Sequence, residues 1–165
     1  MTIKKIKDNI FQFSFEEFGS CVYLLKLKKN ILIDTSSKEN KQEFLDNLKE
    51  LKIKPEQINL LLLTHKHWDH IENKDLFSNA KIYSLENLKE NIPEISEIKI
   101  IKTPGHTKDS LCFLYEDILF SGDTLFDNGY IGRTDLPGSE PKEMKKSLKK
   151  LEKINYKILC PGHLL

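Results

Sequence analysis

Ile58-Asn59-Leu60-Leu61-Leu62-Leu63-Thr64-His65-Lys66-His67-Trp68-Asp69-His70 is an aliphatic run that stops at Thr64 and passes at once into three histidines and an aspartate. Ile58 to Leu63 is short and almost continuously apolar, which predicts a strand with both faces covered. His65, His67, Asp69 and His70 then fall in the loop at its carboxyl end, where open α/β sheets place their ligand sites. A His-x-His-x-Asp-His match arises by accident roughly three times in ten thousand chains of this composition. Histidine-rich tracts that trap metal incidentally are usually polar throughout. This one follows a core strand, so a chemical role is favoured over accident.

Working outward, the same arrangement recurs. Ile10 to Phe15 alternates as a half-buried strand should, and Ser20 to Lys28 and Asn30 to Asp34 read as further strands. Phe44, Leu45, Leu48 and Leu51 recur at helical spacing, and Pro55 closes that region. Short strands are expected at Lys81 to Tyr83 and Glu97 to Ile101, and a hairpin from Ser110 to Tyr115 and Asp117 to Ser121. A Gly/Asp/Pro-rich loop follows over Asp127 to Ser139. Pro141 suits the first position of a helix running to about Ile154, and Lys157 to Cys160 is a last strand. Strands and helices interleave, predicting α/β or α+β layers in one domain, residues 1–165. Three further polar residues stand just past strands: His106, Asp123 and His163. All five histidines of the chain belong to this set.

Bulk properties narrow the function classes. The chain has 165 residues, 39% hydrophobic and 31% charged, and its 26 Lys+Arg against 25 Asp+Glu leave a net charge of +1. That balance gives no electrostatic reason to expect nucleic acid or an anionic membrane. The lysine pairs at 145–146 and 149–150 read as a solvated helix face. No run approaches a membrane span and no signal core follows Met1. Cys21, Cys112 and Cys160 are odd in number and widely spaced, which predicts buried, reduced thiols in a cytoplasmic protein.

Neutral imidazole and carboxylate are ordinary ligands for zinc, iron and manganese. Three histidines with a shared carboxylate suit one ion, and two histidines with two carboxylates suit a second, with Asp123 as the shared group. Two such ions about 3.5–4 Å apart can hold a hydroxide near neutral pH. Asp34 reads either as an acid orienting a histidine or as a plain loop cap. Thr64 and Thr107 are candidate supports of the ligand loops. Trp68 reads as a packing residue beside the site rather than a substrate platform.

With these motifs in view, the sequence resembles the metallo-β-lactamase superfamily. Thr64-His65-Lys66-His67-Trp68-Asp69-His70 is similar to its Thr-His-x-His-x-Asp-His motif. Thr103-Pro104-Gly105-His106-Thr107, Ser121-Gly122-Asp123-Thr124 and Pro161-Gly162-His163 are similar to its later ones, in the same order along nearly the whole chain. The resemblance implies an αβ/βα four-layer sandwich with metals at the edge of two sheets. It also implies two divalent ions, Zn2+ first and Fe or Mn as alternatives. His65, His67, His106 and Asp123 would hold one ion, and Asp69, His70, His163 and Asp123 the other.

Gly122 to Phe126 and Ile131 to Gly138 resemble the glyoxalase-II-like branch, which implies hydrolysis of a glutathione thioester by a metal-bridging hydroxide. Asp69 would orient the hydroxide or take its proton. Arg133 would steer an anionic small-molecule substrate, or pair with Asp135. The chain ends two residues after His163, where glyoxalase II continues into a helical region. Ile71-Glu72-Asn73 and Asp34-Thr35-Ser36 also depart from the commoner pattern. The expected assembly is a monomer or homodimer. Three other readings stand beside this one. A persulfide dioxygenase would hold one iron by His65, His106 and Asp123. The others are a nucleic-acid-processing member, disfavoured by charge, and a metal-stabilised binding module.

Overall fold

The computed structural model describes residues 2–88 and 92–164; Met1 and Leu165, the two ends of the sequence reading, lie outside them. The chain divides into two compact units, Met1–Tyr83 and Ser84–Leu165.

The first unit is a six-stranded sheet in the order β1-β2-β3-β4-β5-β6. Its strands are β1 (Thr2–Lys7), β2 (Ile10–Ser14), β3 (Val22–Lys26), β4 (Asn30–Ile33), β5 (Ile58–Leu62) and β6 (Lys81–Tyr83). β1 to β4 form an antiparallel meander, whereas β4, β5 and β6 run parallel. The parallel β4–β5 step needs a crossover, and helix α1 (Lys41–Glu50) supplies it. Four of the five residues of β5 are buried, as a doubly covered strand requires. The core under α1 gathers Phe13, Leu24, Leu32, Phe44, Leu48 and Phe77. The Phe44 ring meets Phe13 edge-on at 5.9 Å and Phe77 at 5.4 Å.

The second unit is a four-stranded sheet in the order β10-β9-β8-β7. β7 (Ile98–Lys102), β8 (Leu111–Tyr115) and β9 (Ile118–Gly122) pair antiparallel, and β10 (Ile158–Pro161) lies parallel to β9. Helix α3 (Pro141–Leu151) makes that crossover, with Pro141 at its start as expected. It ends three residues before the predicted Ile154, because the chain tightens there into 3-10-type bonds from Lys153 N–H to the Lys150 carbonyl and from Ile154 N–H to that of Leu151. Leu151 packs with Ile101, Cys112, Leu114 and Leu119. The three cysteines are free and buried. Burial pushes the Cys112 thiol up to about 11, which keeps it protonated and inert.

This topology sets up the chemistry. β7, β9 and β10 point the same way, so the residues following them emerge at one edge of their sheet. In the first unit β4, β5 and β6 do likewise. The predicted strand from Ser20 to Lys28 is shorter because Ser20 N–H turns aside to the carbonyl of Asp69, 2.9 Å away. Among the described residues, no helix is long and apolar enough to cross a membrane.

α1 carries one misfit. Asn47 is fully buried, and neither of its side-chain polar atoms has a hydrogen-bond partner among the described residues. A buried amide without partners costs about 1–3 kcal/mol. Asn47→Leu, apolar with the same branching, is expected to stabilise the protein by about 1 kcal/mol, raising the melting temperature about 2–4 °C by calorimetry. A lowered melting temperature would show that the site has no room for the change.

Candidate metal centre

In the first unit two donor histidines, His65 and His70, are held through one buried acid. Asp34 follows β4 and adopts a left-handed backbone, φ 59°, which Asp tolerates better than most residues. Its carboxylate accepts three hydrogen bonds. Thr64 N–H donates to Oδ1 at 2.8 Å, and the Thr64 hydroxyl to Oδ2 at 2.7 Å. His70 Nδ1–H reaches Oδ2 at 2.8 Å. The Thr64 oxygen, its proton committed to Asp34, lies 3.1 Å from His65 Nδ1 and accepts from it. This network assigns Nδ1–H tautomers to both rings and places their lone pairs on Nε2, the form in which imidazole binds metal.

Of the two sequence readings of Asp34, the structure selects the one that orients a histidine. Thr64 is the support it was expected to be. The rings of His65 and His67 lie 4.7 Å apart, and those of His65 and His70 4.1 Å apart. Asp69 Oδ2 is 3.9 Å from His70 Nε2. Trp68 to Ile71 form a one-turn helix, α2, which begins after His67. Its far end is tied to the loop after β4: Thr35 N–H donates to the His70 carbonyl at 2.7 Å, and Asn73 Nδ2 to the Thr35 and Ser37 carbonyls at 2.9 and 2.6 Å. Ile71-Glu72-Asn73 thus serves as an anchor for the donor loop. Trp68 departs from expectation. Its indole is half exposed rather than packed away, because the single turn of α2 buries Asp69 and His70 and turns Trp68 outward.

In the second unit His106, Asp123 and His163 follow β7, β9 and β10. The His106 ring donates from Nδ1 to the carbonyl of Arg133 at 2.8 Å, which leaves its lone pair on Nε2. Nε2 lies 3.4 Å from Asp123 Oδ2, and His163 Nε2 lies 3.6 Å from the same oxygen. These gaps exceed the 2.7–2.9 Å of a charge-assisted hydrogen bond. They match the separation of about 3.3–3.6 Å between two ligands that are each about 2.0–2.2 Å from a tetrahedral ion. The donor set therefore fits a metal, with Asp123 facing both histidines.

The loop is fastened by Ser139 Oγ to the His106 carbonyl at 2.7 Å and by Gly162 N–H to the Gly122 carbonyl at 2.8 Å. Thr107 bonds Ser110 Oγ at 2.8 Å and so closes its own turn. The Arg133 side chain is exposed and makes two bonds to Asp135, at 3.0 and 2.8 Å. Arg133 holds the Asp135 carboxyl below its ordinary value.

The superfamily described as metallo-beta-lactamase matches residues 15–94 and 77–163. The chain belongs to the metallo-beta-lactamase superfamily. Two proteins of Methanocaldococcus jannaschii, each named "Probable metallo-hydrolase", are 33% and 34% identical to it. The alignments cover 81% and 88% of this chain and 70% and 88% of theirs. A hydroxyacylglutathione hydrolase of Francisella tularensis is 32% identical over 65% of this chain and 50% of its own length. This chain therefore spans about half of that relative. Among solved structures, TTHA1623 in a di-iron-bound form superposes with a TM-score of 0.79 at 24% identity, covering 94% of this chain and 92% of that one. ETHE1 from Myxococcus xanthus gives 0.77 at 23%, covering 100% and 76%. These likenesses show the fold, and the two-sheet mixed α/β class read from the sequence is the one found. Membership, with the clustered histidines and aspartates, makes this a metal-binding member of a hydrolase superfamily.

Sequence reasoning passed over Gly132. A Cβ there would lie 1.9 Å from the Asp123 carbonyl oxygen and 2.9 Å from His106 Nδ1. Gly132→Ala is therefore expected to displace both donors and weaken metal binding about 10–100-fold, the scale of losing a supporting partner. Competition with a chromophoric chelator measures it; unchanged affinity would contradict the geometry.

Proposed function

We propose that this chain is a two-metal hydrolase that cleaves a thioester, with hydroxyacylglutathione as the first substrate to test. The carrying observation is the orientation of the donors: His65, His70 and His106 each spend Nδ1 on a fixed acceptor and present Nε2. The proposed assignment places His65, His67, His106 and Asp123 on one ion and Asp69, His70, His163 and Asp123 on the other. Zn2+ is the proposed native metal. The likeness to the Francisella hydroxyacylglutathione hydrolase supports the thioester class. The proposed setting is cytoplasmic, supported by three free, buried thiols. Neither nucleic acid nor membrane is a proposed partner.

Bound to these donors, two divalent ions would supply a nucleophilic hydroxide at neutral pH and polarise a carbonyl oxygen. The chain's residues do the rest. Asp69 is buried, and its backbone carbonyl is pinned by Ser20 N–H; its carboxylate takes the nucleophile's proton. Asp34 acts through His70 and Thr64 and is a positioning residue. The Arg133 guanidinium keeps N–H donors beyond the two given to Asp135 and is the proposed contact for a substrate carboxylate.

Elemental analysis of the purified protein is expected to find two divalent ions per chain, with turnover of S-lactoylglutathione that chelation removes. Asp69→Asn should lower kcat/KM about 10²–10⁴-fold, the range of a lost proton acceptor. One iron per chain with oxygen uptake on glutathione persulfide, using His65, His106 and Asp123, would overturn the proposal. If lactones or phosphodiesters turn over and no thioester does, the thioester class is wrong.

A further inference from the structure

Five large hydrophobic side chains are exposed among the described residues, and two of them stand together beside the first donor loop. Phe18 is 66% exposed and Trp68 51% exposed, and their rings lie 5.8 Å apart at 42°. Isolated apolar residues on a surface need no explanation, but a fixed pair of aromatic rings does.

The backbone that carries Phe18 is held from behind. At Gly19 a Cβ would come within 2.3 Å of Ser36 Oγ and 2.5 Å of Asn40 Nδ2, so the backbone beside Phe18 presses directly onto the loop after β4. The Phe18 carbonyl accepts from Ser37 Oγ at 2.6 Å, and the Glu17 carbonyl from Asn40 Nδ2 at 3.1 Å. Ser20 N–H then ties this segment to the backbone of Asp69. Trp68 sits between His67 and Asp69 in sequence and opens α2. The segment carrying Phe18 is thus fastened to the metal-donor loop, and the two rings meet beside it.

We propose that Phe18 and Trp68 form a specificity platform for an apolar or aromatic group carried by the substrate. The inference rests on the hydrolase reading and narrows its substrate class to thioesters whose acyl or thiol half bears such a group. Stacking on preformed rings gains about 0.5–1.5 kcal/mol beyond the area buried, which is up to about tenfold in affinity or kcat/KM.

Trp68 is the only tryptophan of the chain, so its emission reports on the platform alone. The metal-loaded protein would be titrated with S-benzyl-N-acetylcysteamine, a thioether that cannot be hydrolysed. In parallel, kcat/KM would be measured for three thioesters: acetyl and phenylacetyl on N-acetylcysteamine, and acetyl on benzyl mercaptan. A saturable change in Trp68 emission is expected, with Kd raised about tenfold in Phe18→Ser. The preference for an aryl thioester over the plain acetyl one should fall by a similar factor in that variant, and the arm that responds identifies which half of the substrate is held. Phe18 is exposed, so Phe18→Ser should fold, and equal metal content checks that it has.

If the thioether binds but no thioester turns over, the platform stands and the hydrolase reading fails. If thioesters turn over with no emission change and no shift in preference, the platform fails and the hydrolase stands. A wild-type dimer that Phe18→Ser dissociates without altering aryl preference would also overturn the proposal, making this patch a contact between copies.

Discussion

The Asp34 carboxylate sits where β4 ends, and three donors converge on it: the Thr64 amide, the Thr64 hydroxyl and His70 Nδ1. The parallel register of β4 and β5 makes this meeting possible, since Asp34 N–H also bonds the Leu62 carbonyl at 2.9 Å. Without the carboxylate, those buried donors would each lose their partner, at about 1–3 kcal/mol apiece. The left-handed turn at Asp34, the end of β5 and the orientation of two imidazoles are therefore one structural event. The end of the β4–β5 pairing and the orientation of the two imidazoles meet at one residue.

The second unit reaches the same end by different means. There a main-chain carbonyl, that of Arg133, stands behind His106 in the role that a carboxylate plays behind His70. The loop carrying it must pass so close to Asp123 that only glycine fits at position 132. In both units a strand meander is followed by a parallel pair spanned by a helix, and the donors follow the carboxyl ends of strands.

Much of this was legible in the sequence because strand ends announce themselves. The apolar run into Thr64 marked β5, and the turns after β7, β9 and β10 marked His106, Asp123 and His163. What stayed hidden depends on contacts between residues far apart in sequence. Asp34 reads equally as a cap or an orienting acid in the sequence; the β4–β5 register places it beside Thr64. Arg133 reads as a substrate contact or a salt bridge in the sequence; its side chain pairs with Asp135, while its carbonyl holds His106. Trp68 was misjudged because a single helical turn has too few residues for periodicity to show which one faces out. Gly132 and Asn73 lie in stretches the sequence singles out, but their roles do not show there, since one is defined by a clash and the other by carbonyls 36 and 38 positions away.

The proposed assignment puts two ions on these donors, with Asp123 a ligand to both. Anomalous diffraction at the metal edge, from crystals of the protein purified without added chelator, tests it most directly. The account predicts two anomalous peaks about 3.5–4 Å apart, with the Asp123 carboxylate in contact with both. A single peak, or peaks that leave Asp123 or the Nε2 atoms of His65, His70 and His106 without metal contact, would contradict it.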